Sequence, residues 1–98
     1  MVLEIADFEV KPGMEQELES GVRSALPIFK AARGFIDLQL HKCIENPLRY
    51  RVFLRWETIE DHTEGFRKSE GFQQWRQLVG HCFADAPKVD HSHCVLTS

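Results

Sequence analysis

Three polar side chains in this sequence are candidates for catalytic chemistry: Asp7, Arg51 and His62. Because histidine titrates close to neutral pH, His62 could act as a general base. Asp7 could act as the base instead if an apolar pocket raised its pKa by desolvation, and Arg51 could bind an anionic group. Each residue also has a structural alternative. His62 could be a solvated histidine, and Asp7 and Arg51 could form ion pairs across a sheet.

Two histidines near the C-terminus raise the question of a metal site. On a strand, His91 and His93 would point to the same side, so their imidazoles could meet one metal ion. A zinc site would need one or two more ligands, from His41 or from a partner chain. Surface histidines on a terminal strand are the simpler interpretation, and we expect no metal.

The elements that would position the catalytic candidates centre on residues 49–76. Alternation predicts a strand from Arg49 with one basic and one apolar face, the apolar side chains being Tyr50, Val52, Leu54 and Trp56. Thr58 then predicts a helix start, with Asp61 as its capping-box partner. A second helix start at residues 69–71 predicts a break or kink near Gly71. An apolar stripe at helical spacing follows, made of Phe72, Trp75, Val79, Cys82 and Phe83.

The remaining patterns complete an α+β fold. Residues 2–10, 35–44 and 88–96 have strand patterns, and residues 14–29 form an amphipathic helix whose last turn Pro27 should kink. The order βαββαβ predicts a ferredoxin-like, four-stranded antiparallel sheet with both helices on one face. Residues 1–98 would form this single domain. A second copy is the simplest cover for the open face of the sheet, so we expect a homodimer.

Composition limits the partners of this protein. The 98 residues carry a net charge of −3 with acidic and basic residues interspersed, so neither nucleic acid nor a membrane surface is expected as a partner. No basic and apolar leader opens the sequence, and no apolar run reaches about 18 residues. From this we expect a cytoplasmic location. The odd number of cysteines and their lack of CxxC spacing predict reduced, buried thiols at Cys43, Cys82 and Cys94.

Five segments together resemble the antibiotic biosynthesis monooxygenase family of the dimeric α/β-barrel superfamily. They are residues 11–13 (KPG), 32–36 (ARGFI), 53–58 (FLRWET), 66–75 (FRKSEGFQQW) and 87–91 (PKVDH). The resemblance covers essentially the whole chain. It implies a homodimer whose two sheets form a shared barrel, with a pocket between sheet and helices in each subunit. Enzymes of this family oxidise polycyclic phenols or anthrones to quinones with molecular oxygen and no flavin or metal, so no cofactor is implied.

The resemblance also indicates the pocket. Haem-degrading relatives use Asn, Trp and His where this chain has Asp7, Phe66 and Arg76, so a haem-degrading role is disfavoured. Many closer relatives carry His at the positions of Phe66 and Gly71. His62 lies four residues before Phe66 and could project from the same helical face into the same pocket. The expected pocket residues are Phe53, Phe66, Trp75 and Arg76, although Trp75 could instead be a core residue.

These patterns lead to three functional hypotheses. The first is a cofactor-independent monooxygenase that oxidises a small polycyclic or phenolic aromatic substrate with molecular oxygen to a quinone. The second is a non-catalytic, small-molecule-binding barrel that kept the fold and lost the histidines, which Phe66 and Gly71 favour. The third is an isomerase of a small signal molecule on the same fold. Alanine substitution of Asp7, His62 and Arg51 in turn would separate the first two.

Overall fold

Four antiparallel strands and two main helices make up the structure, a computed structural model that describes residues 1–98. The strands are β1 (Val2–Glu9), β2 (Phe35–Lys42), β3 (Arg49–Trp56) and β4 (Lys88–Ser92), and the helices are α1 (Glu15–Lys30) and α2 (Glu70–Val79). The strand order in the sheet is β2-β3-β1-β4, and all neighbours are antiparallel. The predicted ferredoxin-like α+β fold is therefore confirmed. None of the helices has both the length and the apolar run that crossing a bilayer requires.

One face of the sheet is buried against the helices, and alternation along each strand decides which side chains lie there. The buried side chains of β3 are Tyr50, Val52, Leu54 and Trp56, each exposed by 3% or less. They share one hydrophobic core with the stripe of α1, which consists of Leu18, Val22, Ala25 and Phe29. The intervening residues of β3, such as Arg51 and Phe53, lie on the open face and are only half-buried. Successive residues of one strand therefore have very different surroundings.

The two helices pack closely at Gly21 of α1. A Cβ atom at this position would lie 2.8 Å from the backbone oxygen of Leu78 and 3.0 Å from Cγ1 of Val79, both at the end of α2. Any larger side chain would push the helices apart. Gly21 therefore helps to fix α2 over the sheet, where α2 forms one wall of the candidate site.

The structure differs from the sequence prediction at several element ends. The final strand stops at Ser92, and Val95 and Leu96 beyond it are exposed. Strand β2 is irregular between Phe35 and Asp37. As a result Phe35, and not Ile36 as strict alternation predicts, packs against the ring of Trp56, with 5.7 Å between ring centroids. Helix α1 runs through Pro27 to Lys30, one residue beyond the predicted end. Pro27 lies on the exposed side, where water can reach the carbonyl of Arg23 that Pro27 cannot bond because it has no N–H.

Candidate active site

A cavity of about 460 Å³ lies between α2, the inner face of β1 and the segment that leads into β4. Its aromatic walls are Phe8, Phe72, Trp75 and Phe83. Its charged and polar lining consists of Glu4, His62, Arg67, Arg76 and Asp85. An apolar cavity of this size with a few convergent polar groups is typical of a small-molecule site.

Glu4 is a carboxyl group on the buried face of the sheet, only 6% exposed. The indole Nε1 of Trp56 donates a hydrogen bond to its Oε1 at 2.9 Å. Its other oxygen, Oε2, has no hydrogen-bond partner in the protein and is not sealed from solvent. Burial raises the pKa of Glu4 from 4.5 to about 7, and the Trp56 hydrogen bond and the positive charge of Arg67 oppose this rise. Glu4 can therefore gain or lose a proton close to neutral pH.

His62 lies beside Glu4 and is only 4% exposed, so the expectation of a solvated histidine is wrong. Its ring stacks on Trp56 with 5.5 Å between centroids, and its Nε2 lies 3.4 Å from Oε1 of Glu4. Burial, together with the positive charge of Arg67 and the neighbouring His91, lowers the pKa of His62 to about 4. The imidazole is therefore neutral at pH 7, and it lines the cavity as the sequence suggested.

The chain positions His62 through a capping box and a wide helical turn. Asp61 N–H donates to Oγ1 of Thr58 at 3.1 Å, and Thr58 N–H donates to Oδ2 of Asp61 at 3.2 Å, which confirms the predicted box. The carboxylate of Asp61 occupies the space where a Cβ of Gly34 would lie, and Gly34 has a φ of +80°. The turn that begins at Asp61 is π-helical, with Arg67 N–H donating to the carbonyl of His62 at 2.9 Å. Such turns are frequent at functional sites.

His91 completes the polar cluster from the edge strand β4. It is the register partner of Glu4, and its Nε2 lies 2.8 Å from Nδ1 of His62. It is half-buried. Burial and the positive charge of Arg67 lower the pKa of His91, whereas Asp90 opposes them. Three strands and the turn after β3 therefore place Trp56, Glu4, His62 and His91 in one contiguous chain of contacts.

The predicted pocket residues divide between the cavity, the core and the open face. Trp75 and Arg76 line the cavity, and Trp75 also contacts Phe29 edge-on at 5.1 Å, so its packing and pocket roles coexist. Phe66 does not line this cavity, because it is buried in the core with Trp56 and Phe29. A Cβ on Gly71 would lie 3.3 Å from Cε1 of Phe66, so the lack of a side chain at 71 leaves room for that ring.

Asp7, Arg51 and Phe53 lie on the open face, away from His62. Asp7 accepts hydrogen bonds from Arg49 at 2.7 and 3.0 Å and from Nε of Arg51 at 3.5 Å. These arginines hold the pKa of Asp7 below its ordinary value, whereas the sequence-based hypothesis for a base required a raised pKa. The structure therefore does not bring Asp7 and Arg51 together with His62, because strand alternation places them on the opposite face from Glu4. The alternative of ion pairs across the sheet is the one that forms.

The two C-terminal histidines do not share a position. His91 contacts His62, whereas His93 lies beyond the end of β4, where it is exposed and its Nδ1 approaches the carbonyl of Met1 at 3.4 Å. Three other side chains, Glu17, His81 and Cys82, lie close enough together to hold an ion. In that group His81 Nε2 pairs with Glu17 at 2.9 Å.

The sequence analysis missed Glu4, Arg67 and the role of His91. For Glu4 a signal was available, because a carboxylate at an even spacing from Val2 and Phe8 falls on the apolar face of its strand. For His91 no local signal existed, since 29 residues separate it from His62. Only the pairing of β1 with β4 brings His91 to the cluster.

Comparisons with known proteins point to one family. A family model described as antibiotic biosynthesis monooxygenase matches residues 1–78. The uncharacterized protein YczJ of Bacillus subtilis is 43% identical over 91 residues, which are 93% of this chain and 96% of YczJ. A crystal structure of a Bordetella bronchiseptica protein assigned to the antibiotic biosynthesis monooxygenases has a TM-score of 0.95 at 47% identity, covering 97% of both chains. SnoaB of Streptomyces nogalater, described as a cofactor-independent oxygenase, has the same fold with a TM-score of 0.84 at 17% identity, covering 98% of this chain and 94% of SnoaB.

Proposed function

This chain belongs to the antibiotic biosynthesis monooxygenase family, and from that membership we propose that it oxidises a small polycyclic or phenolic aromatic molecule to a quinone with molecular oxygen and without a cofactor. The observation that carries the proposal is Glu4, a buried carboxyl with a pKa of about 7 beside an aromatic-walled cavity. A base with that pKa can accept the proton of a hydroxyarene at neutral pH. The aromatic walls offer contact surfaces for a flat ring system.

Deprotonation of the substrate is the step for which the protein supplies a group. The hydroxyl proton moves to Oε2 of Glu4, and the guanidinium groups of Arg67 and Arg76 at the cavity stabilise the negative charge that the substrate gains. Trp56 holds Oε1 by its hydrogen bond and so fixes the carboxylate plane. A substrate bound in the cavity would displace water from it, which would strengthen each of these interactions.

The substrate anion supplies all the electrons that dioxygen needs. A carbon–oxygen bond forms at the electron-rich ring carbon, and the peroxide that results loses its outer oxygen when the O–O bond breaks. The inner oxygen remains as the new carbonyl of the quinone. The outer oxygen leaves as water and takes up the two hydrogens that the substrate has lost, so no external reductant enters the balance.

A homodimer is part of the proposal. Proteins of this family are generally dimeric. The open face of the sheet combines half-buried apolar side chains, such as Ile5 and Phe53, with the ion-paired Asp7 and Arg51. A second sheet packed on that face would cover both. Light scattering at several protein concentrations checks this, and a concentration-independent species of the 11.4 kDa monomer mass would refute it.

Oxygen uptake tests the activity. Chelator-treated, cofactor-free protein is offered a panel of anthrones and dihydroxynaphthalenes, with heat-denatured protein as the control for spontaneous oxidation. We expect saturable uptake above that control and a quinone product. Glu4→Gln should lower kcat by about 10²-fold or more, the usual range for loss of a general base. The matched control is Asp7→Asn, which changes a carboxylate on the other face of the same strand.

Two results would contradict the proposal. If Glu4→Gln left kcat unchanged with a confirmed substrate, Glu4 would not be the base. If no compound accelerated uptake but several raised the thermal stability of the protein, the non-catalytic binding barrel would be favoured instead. The lack of histidine at Phe66 and Gly71 is the observation that keeps this second function as the alternative.

A further inference from the structure

We propose that His91 is the outer end of a proton relay that connects Glu4 to solvent through His62. The role of this relay in catalysis rests on the proposed function, because the relay would return Glu4 to its deprotonated form while a ligand fills the cavity. The arrangement of the three side chains is a property of the fold and can be tested without turnover.

The relay follows from a continuous series of contacts across three elements. Oε1 of Glu4 on β1 lies 3.4 Å from Nε2 of His62, which the π-helical turn carries. Nδ1 of His62 lies 2.8 Å from Nε2 of His91 on β4. The first distance is longer than a hydrogen bond, as is common for catalytic contacts without a ligand. The second is already a hydrogen bond.

His62 is placed to transfer a proton between protein groups, because neither of its ring nitrogens is free to contact a substrate. Both of its ring nitrogens face other protein groups, since Nε2 faces Glu4 and Nδ1 faces His91. The ring is also almost completely buried on Trp56. His91, by contrast, is half-buried on an edge strand that pairs only with β1, so its ring can exchange protons with water.

The charges around the relay favour neutral rings. Arg67, from the segment after the π-helical turn, opposes a positive charge on both His62 and His91. Glu4 from β1 and Asp90 from β4 are the acidic groups that act on the rings, and Trp56 from β3 contributes only a fixed N–H donor. Proton transfer therefore has to be concerted, with one proton entering a ring as another leaves it. The same positive charge disfavours a metal ion between the two imidazoles.

Neutral rings allow the relay to work in both directions. When Glu4 holds the substrate proton on Oε2, a half-turn of its carboxyl group exchanges the two oxygens and brings that proton to Nε2 of His62. As Nε2 takes this proton, Nδ1–H of His62 gives its proton to His91, and His91 releases one to water from Nδ1. The three groups are then arranged for the reverse transfer, without rotation of either ring. The reverse transfer returns a proton to Glu4, which delivers it to the oxygen that leaves as water. Equal numbers of protons leave and return, in agreement with the overall reaction.

Two variants of His91 separate a relay from a structural role. His91→Gln retains a hydrogen-bonding side chain beside His62 but cannot relay a proton, and His91→Ala leaves a gap at the relay exit. With a confirmed substrate, we expect both to lower kcat by about tenfold or more in weakly buffered solution, with KM within about twofold of the wild type. Added imidazole should restore the kcat of His91→Ala in a saturable manner. His93→Ala, an exposed histidine two residues away, is the control and should retain full activity.

Either of two kinetic results would overturn the relay. One is full activity of His91→Gln, which would mean that a hydrogen bond to His62 suffices. The other is a loss of kcat in His91→Ala that added imidazole does not restore and that comes with a loss of stability in the same variant, which would indicate packing alone.

Nitrogen-15 NMR of the histidine rings in the ligand-free protein tests the relay without turnover. We expect both rings to be neutral at pH 7 and to share one hydrogen-bonded proton between His62 Nδ1 and His91 Nε2. Replacing Glu4 by Gln should shift the ring signals of His91 as well as those of His62. Independent signals for the two rings would refute the relay even in an active enzyme. Coupled signals in a protein that oxidises no compound would refute the proposed function and leave the relay standing.

Discussion

Replacement of Glu4 by glutamine should stabilise the protein, and the gain should depend on pH. The native state keeps the Glu4 proton up to about pH 7, whereas the unfolded chain releases it near the ordinary value of 4.5. Between these values the native state binds more protons than the unfolded state, so raising the pH lowers the free energy of unfolding. The difference between 4.5 and about 7 corresponds to about 3 kcal/mol, reached above pH 8.

The glutamine side chain has nearly the same shape as that of Glu4 but carries no charge. Its carbonyl oxygen can still accept the hydrogen bond from Trp56, so Glu4→Gln removes the cost of a buried carboxylate and little else. At about pH 4 the wild type and the variant should have similar stability, because the carboxyl is then mostly protonated in the native and the unfolded state alike. At about pH 8.5 the variant should be more stable by about 3 kcal/mol.

Urea denaturation at fixed protein concentration measures this difference, since a fixed concentration keeps any contribution of subunit association constant. The control is Asp7→Asn. The ion pairs of Asp7 hold its pKa below 3.8, so its contribution to the free energy of unfolding is complete above about pH 5. The stability difference between the wild type and Asp7→Asn should therefore not change from about pH 5 to about pH 8.5. Stability curves of the wild type and Glu4→Gln that run parallel from about pH 5 to pH 8.5 would refute a raised pKa for Glu4.

Further substitutions test the packing and the cavity. Gly21→Ala should lower the free energy of unfolding, measured by chemical denaturation, by about 1–3 kcal/mol, because its Cβ would lie 2.8 Å from a backbone oxygen of α2. Gly80→Ala is the control and should leave the free energy of unfolding unchanged, since nothing lies within 4 Å of a Cβ there. Trp75→Ala should raise the Kd of an aromatic ligand by about tenfold in a fluorescence or calorimetric titration, and Trp75→Phe should recover much of the loss. A wild-type Kd in both variants would argue that the ligand binds elsewhere. Asp7→Asn should leave the same Kd unchanged, since Asp7 faces away from the cavity, and a large increase would contradict the division of the sheet into two faces.

Much of the fold and part of the site were predictable from local patterns. The alternation of residues 50–56 set the inner face of β3, and the box of Thr58 and Asp61 set the start of the turn that carries His62. Both depend on residues only a few positions apart, so the sequence contains them in full. Helical spacing also put Trp75 on the apolar stripe of α2, whereas Arg76 was expected at the pocket from the family resemblance; both line the cavity.

The composition of the site was decided by the tertiary structure. The sequence offered Asp7 and Glu4 as carboxylates on one strand, but their chemistry diverges because the sheet buries one beside Trp56 and exposes the other to Arg49 and Arg51. Burial and neighbouring charge set a pKa, and both come from residues distant in sequence. His91 joins His62 only through the pairing of β4 with β1. The sequence by itself therefore determined which elements form and which side of each is apolar, whereas the packing of those elements determined which ionisable groups meet and at what pH they exchange protons.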